Sequence, residues 1–384
     1  MTVEVAQNPA SASGANHFVS IVMPCLNEKE TVEICVRKAL TWLDRSGTPG
    51  EVLVVDNGST DGSPELARNA GARVVFEPVK GYGSALRRGF VEAQGDWLVM
   101  GDCDDTYEFG DLDPLMAPLY EGADMSIGNR HAGGIAPGAM TWSHRYIGTP
   151  TISFLLKMFT GLKVGDSQCG LRAFTRGALD RMELKTDGME LASEMILKAA
   201  RRGLNVAEVP VPYAERLGEA KLNTFRDGWR HLRFLMLASP NYMFTIPGIV
   251  LLIAGAIILT ASVPNNEIQI GDWTWQPVFA GSIFAVVGFN AFMLGFASRM
   301  YTSARGITNE DAFVRFYRRY LNLEVFVAIG FLLILTGIVT DAVLLATDSA
   351  EDHFALSAVA QTLIIIGANA GLVGALASLL DDGK

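Results

Sequence analysis

Hydrophobic residues are distributed differently in the two parts of this 384-residue chain. Before about residue 240 the apolar stretches are short and interrupted by charges, whereas four long apolar runs follow. Each run reaches the roughly 20 residues that a helix needs to cross a bilayer. The only charged residues inside them, Glu324 and Asp341, lie near the ends of the third run. We therefore predict an α-helical membrane domain at residues 241–384, with spans at about 242–263, 277–297, 323–346 and 355–380.

The loops between these runs predict the topology. Residues 264–276 and 347–354 contain no lysine or arginine. The segment between the second and third runs instead carries Arg299, Arg305, Arg315, Arg318 and Arg319. The positive-inside rule places that loop in the cytoplasm. With four spans, both termini and the domain before the spans are then predicted on the cytoplasmic side of the cell (plasma) membrane.

Upstream of the membrane domain, strand-like and helix-like segments alternate. The predicted strands cover residues 18–25, 51–56, 73–76, 97–101 and 124–130. This alternation predicts a Rossmann-like α/β domain with a mostly parallel sheet at residues 18–222, preceded by a disordered tail at residues 1–17. Right-handed crossovers bring the carboxyl ends of such strands to one edge. We expect Asn27, Glu28, Asp56 and Asp102 to lie along that rim.

The strongest chemical signal is a cluster of carboxylates directly after the strand at 97–101. Asp102, Asp104 and Asp105 repel one another, and such a group is stabilised by a cation. Hard oxygen ligands select Mg²⁺ or Mn²⁺ over softer metals. In an open α/β sheet ligands bind at this edge, so the ion would hold a diphosphate. The alternative is a solvated acidic turn, and the pattern leaves open whether Asp104 or Asp105 joins Asp102 as the second ligand.

A second turn on the rim is suited to a nucleotide. Asp56 ends a buried strand and could accept hydrogen bonds from a base or ribose. Gly58 and Ser59 allow close approach of backbone amides to phosphate or sugar hydroxyls. Lys80 and Gly81 begin a short glycine-containing segment that is a weak phosphate-loop signal. The structural alternative is a turn capped by its own side chains.

Two segments have the pattern of helices that lie in the lipid headgroup layer. At residues 223–240 an apolar stripe runs beside arginines immediately before the first span. Residues 140–164 are similar, with Trp142 and Tyr146 near Arg145. The alternative for both is a helix packed in a core. In the helix predicted at 188–203, Glu190 and Glu194 lie one turn apart, either on a functional face or on a solvated one.

Composition narrows the class of partner and compartment. The net charge of −10 argues against a general nucleic-acid-binding protein. The four cysteines, Cys25, Cys35, Cys103 and Cys169, lack the spacing of a metal site and fit a reducing compartment. Oligomeric state is left open, with a homo-oligomer among the options.

Taken together, six ordered motifs resemble the family 2 glycosyltransferases of the GT-A fold, and more narrowly the polyprenyl-phosphate glycosyltransferases such as dolichyl-phosphate mannose and glucose synthases and undecaprenyl-phosphate glucosyltransferases. The resemblance spans about residues 19–240. The motifs lie at residues 22–28, 55–62, 102–104, 128–130, 169–173 and 218–222.

The resemblance implies roles for individual residues. The nucleoside pocket would be lined by Pro24, Glu28 and Asp56, and the metal and diphosphate would be held by Asp102 and Asp104. Phosphate contacts would come from Arg130, Arg172 and Lys221. The two arginines, with Asp102 and Asp104, form the expected catalytic set. Further sugar or phosphate contacts are expected from Asp105, Gln168, Glu190 and Glu194.

The expected reaction is inverting transfer of one hexose from a nucleotide sugar to a polyprenyl phosphate. UDP-glucose is the favoured donor, because residues 189–223 are closer to the glucosyl branch, and GDP-mannose is the alternative. A processive polysaccharide synthase and a non-catalytic membrane scaffold are the other readings; the Gln-x-x-Arg-Trp motif of processive enzymes is absent. The candidate ligands of the acceptor phosphate are Arg130, Arg145 and Arg216.

Overall fold

The computed structural model describes residues 17–218, 224–264, 267–270, 272–304, 312–320, 323–347 and 353–381. The chain divides into two compact units, Met1–Phe234 and Leu235–Lys384. The boundary between the two units falls inside residues 223–240, one of the two segments predicted to lie in the headgroup layer. Apart from His17, the predicted disordered tail lies outside the described residues.

The first unit is built on a seven-stranded sheet with the order β3-β2-β1-β4-β6-β5-β7. All neighbouring strands are parallel except at β6, which runs antiparallel to both β4 and β5. The prediction of a mostly parallel α/β sheet is therefore confirmed. The strands are β1 (Val19–Cys25), β2 (Gly50–Asp56), β3 (Arg73–Phe76), β4 (Trp97–Met100), β5 (Met125–Asn129), β6 (Arg172–Thr175) and β7 (Val206–Pro210).

Nine α-helices of the described residues begin in this unit, and the last of them extends past its boundary at Phe234. The spacing of buried residues explains why they pack on the sheet: in the first helix Val32, Cys35, Val36 and Ala39 are buried at intervals of three and four. The helices are α1 (Val32–Ser46), α2 (Ser63–Asn69), α3 (Tyr82–Glu92), α4 (Asp113–Tyr120), α5 (Arg130–Gly133), α6 (Thr149–Thr160), α7 (Arg176–Met182), α8 (Leu191–Arg201) and α9 (Thr224–Ala238).

The order of the strands positions the rim. Because β2, β1 and β4 are neighbours and parallel, their carboxyl ends lie side by side. Cys25 at the end of β1 is in register with Asp56 at the end of β2, and Val22 is in register with Met100. The turns that carry Asn27, Asp56 and Asp102 therefore adjoin one another, as the alternation predicted.

The second unit contains the four long apolar helices. Those long and apolar enough to cross a membrane are Asn241–Ser262, Pro277–Ser303, Leu323–Ala346 and Phe354–Leu379, which confirms the four predicted spans. The helices are α10 (Ile246–Ser262), α11 (Pro277–Ala304), α12 (Ala312–Tyr320), α13 (Leu323–Ala346) and α14 (Phe354–Asp381), and the short antiparallel strands β8 (Ile268–Ile270) and β9 (Trp273–Trp275) lie between α10 and α11.

Small residues and polar pairs join these helices. A Cβ at Gly330 of α13 would lie 2.5 Å from the carbonyl oxygen of Gly367 of α14, so the two backbones touch. The Asn369 amide donates to Asn290 Oδ1 at 3.0 Å, which links α14 to α11. Such close packing and interhelical hydrogen bonding are what stabilise helices in lipid, where apolar burial gives no preference for a neighbouring helix.

Candidate active site

Asp102 follows β4 at the centre of the rim. Its carboxylate lies within hydrogen-bonding range of the Tyr82 hydroxyl at the start of α3. Desolvation by the surrounding protein and the charge of Asp104 raise the pKa of Asp102 to about 7. Gly170 packs against this carboxylate, since a Cβ at that position would lie 2.7 Å from Asp102 Oδ2. Asp102 is thus enclosed by two loops and held close to another negative charge, an arrangement that favours a cation.

Asp104 and Asp105 point to different partners. Asp104 is buried, and its Oδ1 accepts hydrogen bonds from the Thr106 amide at 3.2 Å and the Thr106 hydroxyl at 2.6 Å. Asp105 has a left-handed backbone (φ 61°) and pairs with Lys38 of α1 at 2.8 Å. The salt bridge turns Asp105 toward α1, which supports Asp104 as the second metal ligand.

The chemistry of this pair fits Mg²⁺ or Mn²⁺. Both ions take oxygen ligands, and Mg²⁺ in particular is usually held by one or two carboxylates together with substrate phosphates and water. Among the described residues, no three His, Cys, Asp or Glu side chains converge as a metal site. An ion held by Asp102 and Asp104 would therefore need further oxygens, which a diphosphate supplies.

The turn after β2 is held by its own side chains. The Asp56 carboxylate accepts hydrogen bonds from the amides of Gly58 at 3.1 Å and Ser59 at 3.0 Å. Lys80 Nζ donates to the Asn57 carbonyl at 2.6 Å, and Asn57 Oδ1 accepts from the Gly81 amide at 2.8 Å. The structure therefore contains the capped turn, which leaves part of the acceptor capacity of Asp56 for a ligand.

The loop after β1 is joined to this turn. Asn27 has a left-handed backbone (φ 53°); its amide donates to the Ser59 hydroxyl, and its Oδ1 accepts from the Thr60 amide, each at 2.8 Å. Pro24 accepts a hydrogen bond from the Cys103 thiol at 3.0 Å. The predicted nucleoside residues are therefore brought together beside Asp102 and Asp104, the predicted metal ligands.

Arg216 also reaches this part of the rim. Its guanidinium pairs with Glu28 and lies 3.2 Å from Asp104 Oδ2. Both partners are residues expected on the donor side, so in this structure Arg216 lies beside the expected donor carboxylates. Its contact with the acceptor phosphate stays a prediction.

Arg130 does not face open space. Its Nε and one terminal nitrogen donate to the two oxygens of Asp166 at 2.7 and 2.9 Å, and its backbone amide donates to the same carboxylate. Arg130 and Asp166 are both buried, and the Tyr213 ring covers the guanidinium at 5.1 Å. In this structure the partner of Arg130 is the buried Asp166, and its contact with a phosphate stays a prediction.

Arg172 is likewise structural. It is fully buried, and its guanidinium donates to the carbonyl oxygens of Ser167, Cys169 and Ala192 at 2.8, 2.9 and 2.9 Å. The side chain joins the loop before β6 to the start of α8. Its guanidinium contacts protein carbonyl oxygens in this structure, and its expected role as a phosphate contact stays a prediction.

The sugar candidates on α8 also differ from each other. Glu194 is buried, pairs with Lys198 at 2.7 Å, and accepts from the amides of Lys185 and Thr186. It holds the preceding loop, and its burial corrects the reading of a solvated face. Its contact with a sugar or phosphate stays a prediction. Glu190 Oε2, by contrast, is buried and has no hydrogen-bond partner among the described residues.

Three further residues were predicted to contact a sugar or a phosphate. Gln168 donates to the hydroxyls of Ser167 and Ser193, each at 3.2 Å. Arg145 is half-buried beside the Tyr146 ring, and no carboxylate of the described residues lies within the ion-pair distance of it. Lys221 lies outside the described residues.

Comparisons with known proteins identify the family of this chain. The Glycosyl transferase family 2 model matches residues 20–182, and the model of the family 2 C-terminal transmembrane region matches residues 296–381. The low-salt glycan biosynthesis hexosyltransferase Agl6 of Haloferax volcanii is 35% identical over 91% of this chain and 86% of its own length. The chain belongs to glycosyltransferase family 2.

Other relatives match the catalytic part of this glycosyltransferase. A dolichyl-phosphate hexose transferase of Haloferax volcanii is 35% identical over 55% of the chain and 89% of its own length. The glycosyltransferase AglJ of the same organism is 37% identical over 55% of the chain and 68% of its own length. Among solved structures, glucosyl-3-phosphoglycerate synthase from Mycobacterium tuberculosis aligns with a TM-score of 0.48 and 23% identity over 58% of this chain and 78% of its own.

Sequence reasoning missed several residues that shape the glycosyltransferase site. Tyr82 lies between Gly81 and Gly83, and its hydroxyl interacts with the Asp102 carboxylate. Thr106 orients Asp104, and Asp166 neutralises Arg130. Asp166 lies three residues before the motif at residues 169–173, but its partner Arg130 is 36 residues away in the chain.

We expect Arg130→Ala to lower the free energy of unfolding of the glycosyltransferase by about 3–5 kcal/mol, because it leaves the buried Asp166 without its counter-ion. Chemical denaturation followed by tryptophan fluorescence measures this effect. The double variant Arg130→Met, Asp166→Leu should recover most of the loss. Arg45→Ala is the matched control, since its pair with Asp113 is exposed and should cost at most about 1 kcal/mol. Unchanged stability in Arg130→Ala would contradict the structural role.

Proposed function

We propose that this glycosyltransferase transfers a single hexose from a nucleotide-diphosphate sugar to a polyprenyl or dolichyl phosphate at the cytoplasmic face of the plasma membrane. The observation that carries the proposal is the pair Asp102 and Asp104, fixed by Tyr82 and Thr106 beside the Asp56 turn. The four apolar helices and the relatives named as a hexosyltransferase and a dolichyl-phosphate hexose transferase support a lipid acceptor.

The chemistry explains why the site needs no general base. A phosphate monoester has a second pKa near 6, so a lipid phosphate is largely dianionic at neutral pH and is already a nucleophile. Catalysis then requires positioning of two anionic substrates and compensation of their charge. In-line attack from the face opposite the leaving group inverts the anomeric centre, which gives a β-linked product from an α-linked donor.

On the donor side, Asp102 and Asp104 would hold Mg²⁺ or Mn²⁺ against the diphosphate. When bound, the ion offsets the charge that builds on the departing nucleoside diphosphate. Asp56, whose carboxylate is held by the amides of Gly58 and Ser59, would orient the nucleoside with its remaining acceptor capacity. Glu190 would accept a hydrogen bond from a sugar hydroxyl, because its buried Oε2 has no partner among the described residues.

On the acceptor side, we assign Arg145 to the lipid phosphate. It lies in a π-helical turn, His144–Gly148, that leads directly into α6. Neighbouring apolar side chains are unusually exposed: Trp142 is 67% exposed, Tyr146 59% and Phe154 64%. An exposed apolar surface with cations is typical of contact with a headgroup layer, so the acceptor phosphate would meet a guanidinium there.

The donor assay tests the proposal as a whole. Purified enzyme is incubated with a C55 polyprenyl phosphate and either UDP-glucose or GDP-mannose, and the lipid product is identified by its mass. UDP-glucose is the proposed donor, from the resemblance of residues 189–223 to the glucosyl branch. Transfer from GDP-mannose alone would correct the sugar, and transfer from neither donor to any polyprenyl phosphate would contradict the proposed reaction.

The topology gives a separate prediction. Cysteines introduced by Gly271→Cys and Ala350→Cys should react with an impermeant maleimide in intact cells, whereas Gly306→Cys should be shielded until the cells are opened. The reason is that, of the three loops between the predicted spans, only the one between spans two and three contains arginines. The unaltered chain, whose four cysteines are buried, gives the background. The reverse labelling would place the catalytic domain outside, away from cytoplasmic nucleotide sugars.

A further inference from the structure

Arg216 joins two carboxylates that the proposed function assigns to the donor. One terminal nitrogen pairs with Glu28 in the nucleoside pocket, and the other lies 3.2 Å from Asp104 Oδ2 at the metal position. The side chains of Arg216, Glu28 and Asp104 are only 21, 12 and 8% exposed. Ion pairs enclosed in this way are little screened by solvent or salt, so the guanidinium is a real competitor for the site.

The hydrogen bonds of Asp104 make this competition specific. Its Oδ1 is already engaged by the amide and the hydroxyl of Thr106, at 3.2 and 2.6 Å. Oδ2 is therefore the oxygen directed to a metal, and it is the one that Arg216 contacts. A divalent cation bound to Oδ2 would stand next to the guanidinium, and the two positive charges repel.

The guanidinium is also incompletely satisfied in this position. Arg216 Nε is buried and has no hydrogen-bond partner among the described residues. A buried donor without a partner is unfavourable, which weakens the hold of the two carboxylates on the side chain. Arg216 could therefore leave these two carboxylates for an anion that satisfies more of its donors.

We propose that Arg216 is a latch on the metal site: without nucleotide it occupies Asp104 Oδ2, so that a divalent cation binds tightly only together with a nucleoside diphosphate. This inference rests on the proposed metal role of Asp102 and Asp104. The diphosphate adds the negative charge that a cation alone lacks, and its oxygens match the forked donors of a displaced guanidinium. Metal and nucleotide binding are therefore coupled through one side chain.

The experiment measures Mn²⁺ binding to the full-length protein in detergent by electron paramagnetic resonance, with and without UDP or GDP. For the unaltered chain we expect the nucleotide to tighten Mn²⁺ binding by about tenfold or more, within the range typical of coupled sites. In R216Q, Mn²⁺ alone should bind at least about tenfold more tightly than to the unaltered chain, and the coupling to nucleotide should fall by the same factor.

The control is R73Q. Arg73 forms a comparable partly buried pair with Glu51 at 2.8 Å, at the opposite, amino-terminal end of the strands. R73Q should show the Mn²⁺ affinity and the coupling of the unaltered chain. Since R216Q removes the cation between Glu28 and Asp104, its melting temperature is also followed: Mn²⁺ alone should raise it in R216Q more than in R73Q.

The outcomes separate the latch from the metal site. If R216Q binds Mn²⁺ alone no more tightly than the unaltered chain, while nucleotide still promotes Mn²⁺ binding, the latch is overturned and the metal site stands. If the unaltered chain fails to bind Mn²⁺ with either nucleotide, both are overturned. R216K, which keeps the charge but not the fork, should remain closer to the unaltered chain in Mn²⁺ affinity without nucleotide.

Discussion

Asp102→Asn and Asp104→Asn should each reduce hexose transfer by roughly 100-fold or more, the loss typical when a principal electrostatic contact of a reaction is removed. Chelation with EDTA should abolish transfer by the unaltered enzyme, and added Mg²⁺ or Mn²⁺ should restore it. The reason is that an amide binds a divalent cation far more weakly than a carboxylate does. Radiolabelled transfer to lipid and nucleotide binding by calorimetry are the measurements.

Thermal stability separates loss of the metal from loss of the fold. The pKa of Asp102, about 7 in the folded protein, lies above the usual value of 3.8. Its ionisation therefore weakens the metal-free fold progressively as the pH rises from about 4 to about 7. Above that range Asp102→Asn lacks this penalty, so its melting temperature at pH 8 in EDTA should equal or exceed that of the unaltered chain.

Asp105→Asn provides the matched control. Asp105 belongs to the same cluster but pairs with Lys38, so its replacement should change transfer by no more than a few-fold. Full activity of the unaltered enzyme in EDTA would exclude the metal assignment. If Asp105→Asn lost as much transfer activity as Asp104→Asn, Asp105 would again be a candidate for the second metal ligand.

Arg145→Ala should raise the KM for polyprenyl phosphate roughly 100-fold, as expected when one partner of a close charge pair is removed. Nucleotide affinity should change little, because the donor ligands lie on separate turns. Arg145→Lys should give an intermediate KM, since lysine keeps the charge but lacks the planar fork. Initial rates at limiting lipid, together with nucleotide binding by calorimetry, measure the two effects separately.

The controls for Arg145 are cations expected to meet headgroups in general. Lys157→Ala on α6 and Arg226→Ala on α9 should each have a mild effect, since a basic residue near an anionic membrane contributes about 1 kcal/mol of attraction. If Arg145→Ala transfers sugar normally at limiting lipid, the acceptor phosphate is bound elsewhere, and His144 of the same turn is the next residue to replace.

The structure adds partners for three arginines that the sequence could not show. Arg130, Arg172 and Arg216 all stand in or beside motifs that imply phosphate contacts. In the structure one neutralises a buried aspartate, one holds three carbonyl oxygens, and one bridges two carboxylates of the donor side. Local sequence shows that a cation is present but does not show which anion or carbonyl the fold brings to it.

The sequence by itself determined the features that depend on local periodicity and length. Alternation of short apolar runs with helical segments specifies parallel strands whose ends share a rim, because each crossover has the same hand. Four uninterrupted apolar runs specify four spans, because a helix must be long and apolar enough to cross the hydrocarbon core of the bilayer. The acidic cluster after β4 was placed on the rim for the same local reasons.

Only the tertiary structure decided which distant residues meet. The antiparallel strand β6 enters between β4 and β5 through pairings that no local pattern encodes. Arg216 reaches Glu28 across 188 residues of chain, and Lys38 draws Asp105 away across 67. Periodicity reports whether a residue is buried or exposed. The partner of a charged side chain depends on long-range packing, and in this protein that packing separates a structural arginine from one that contacts the metal carboxylates.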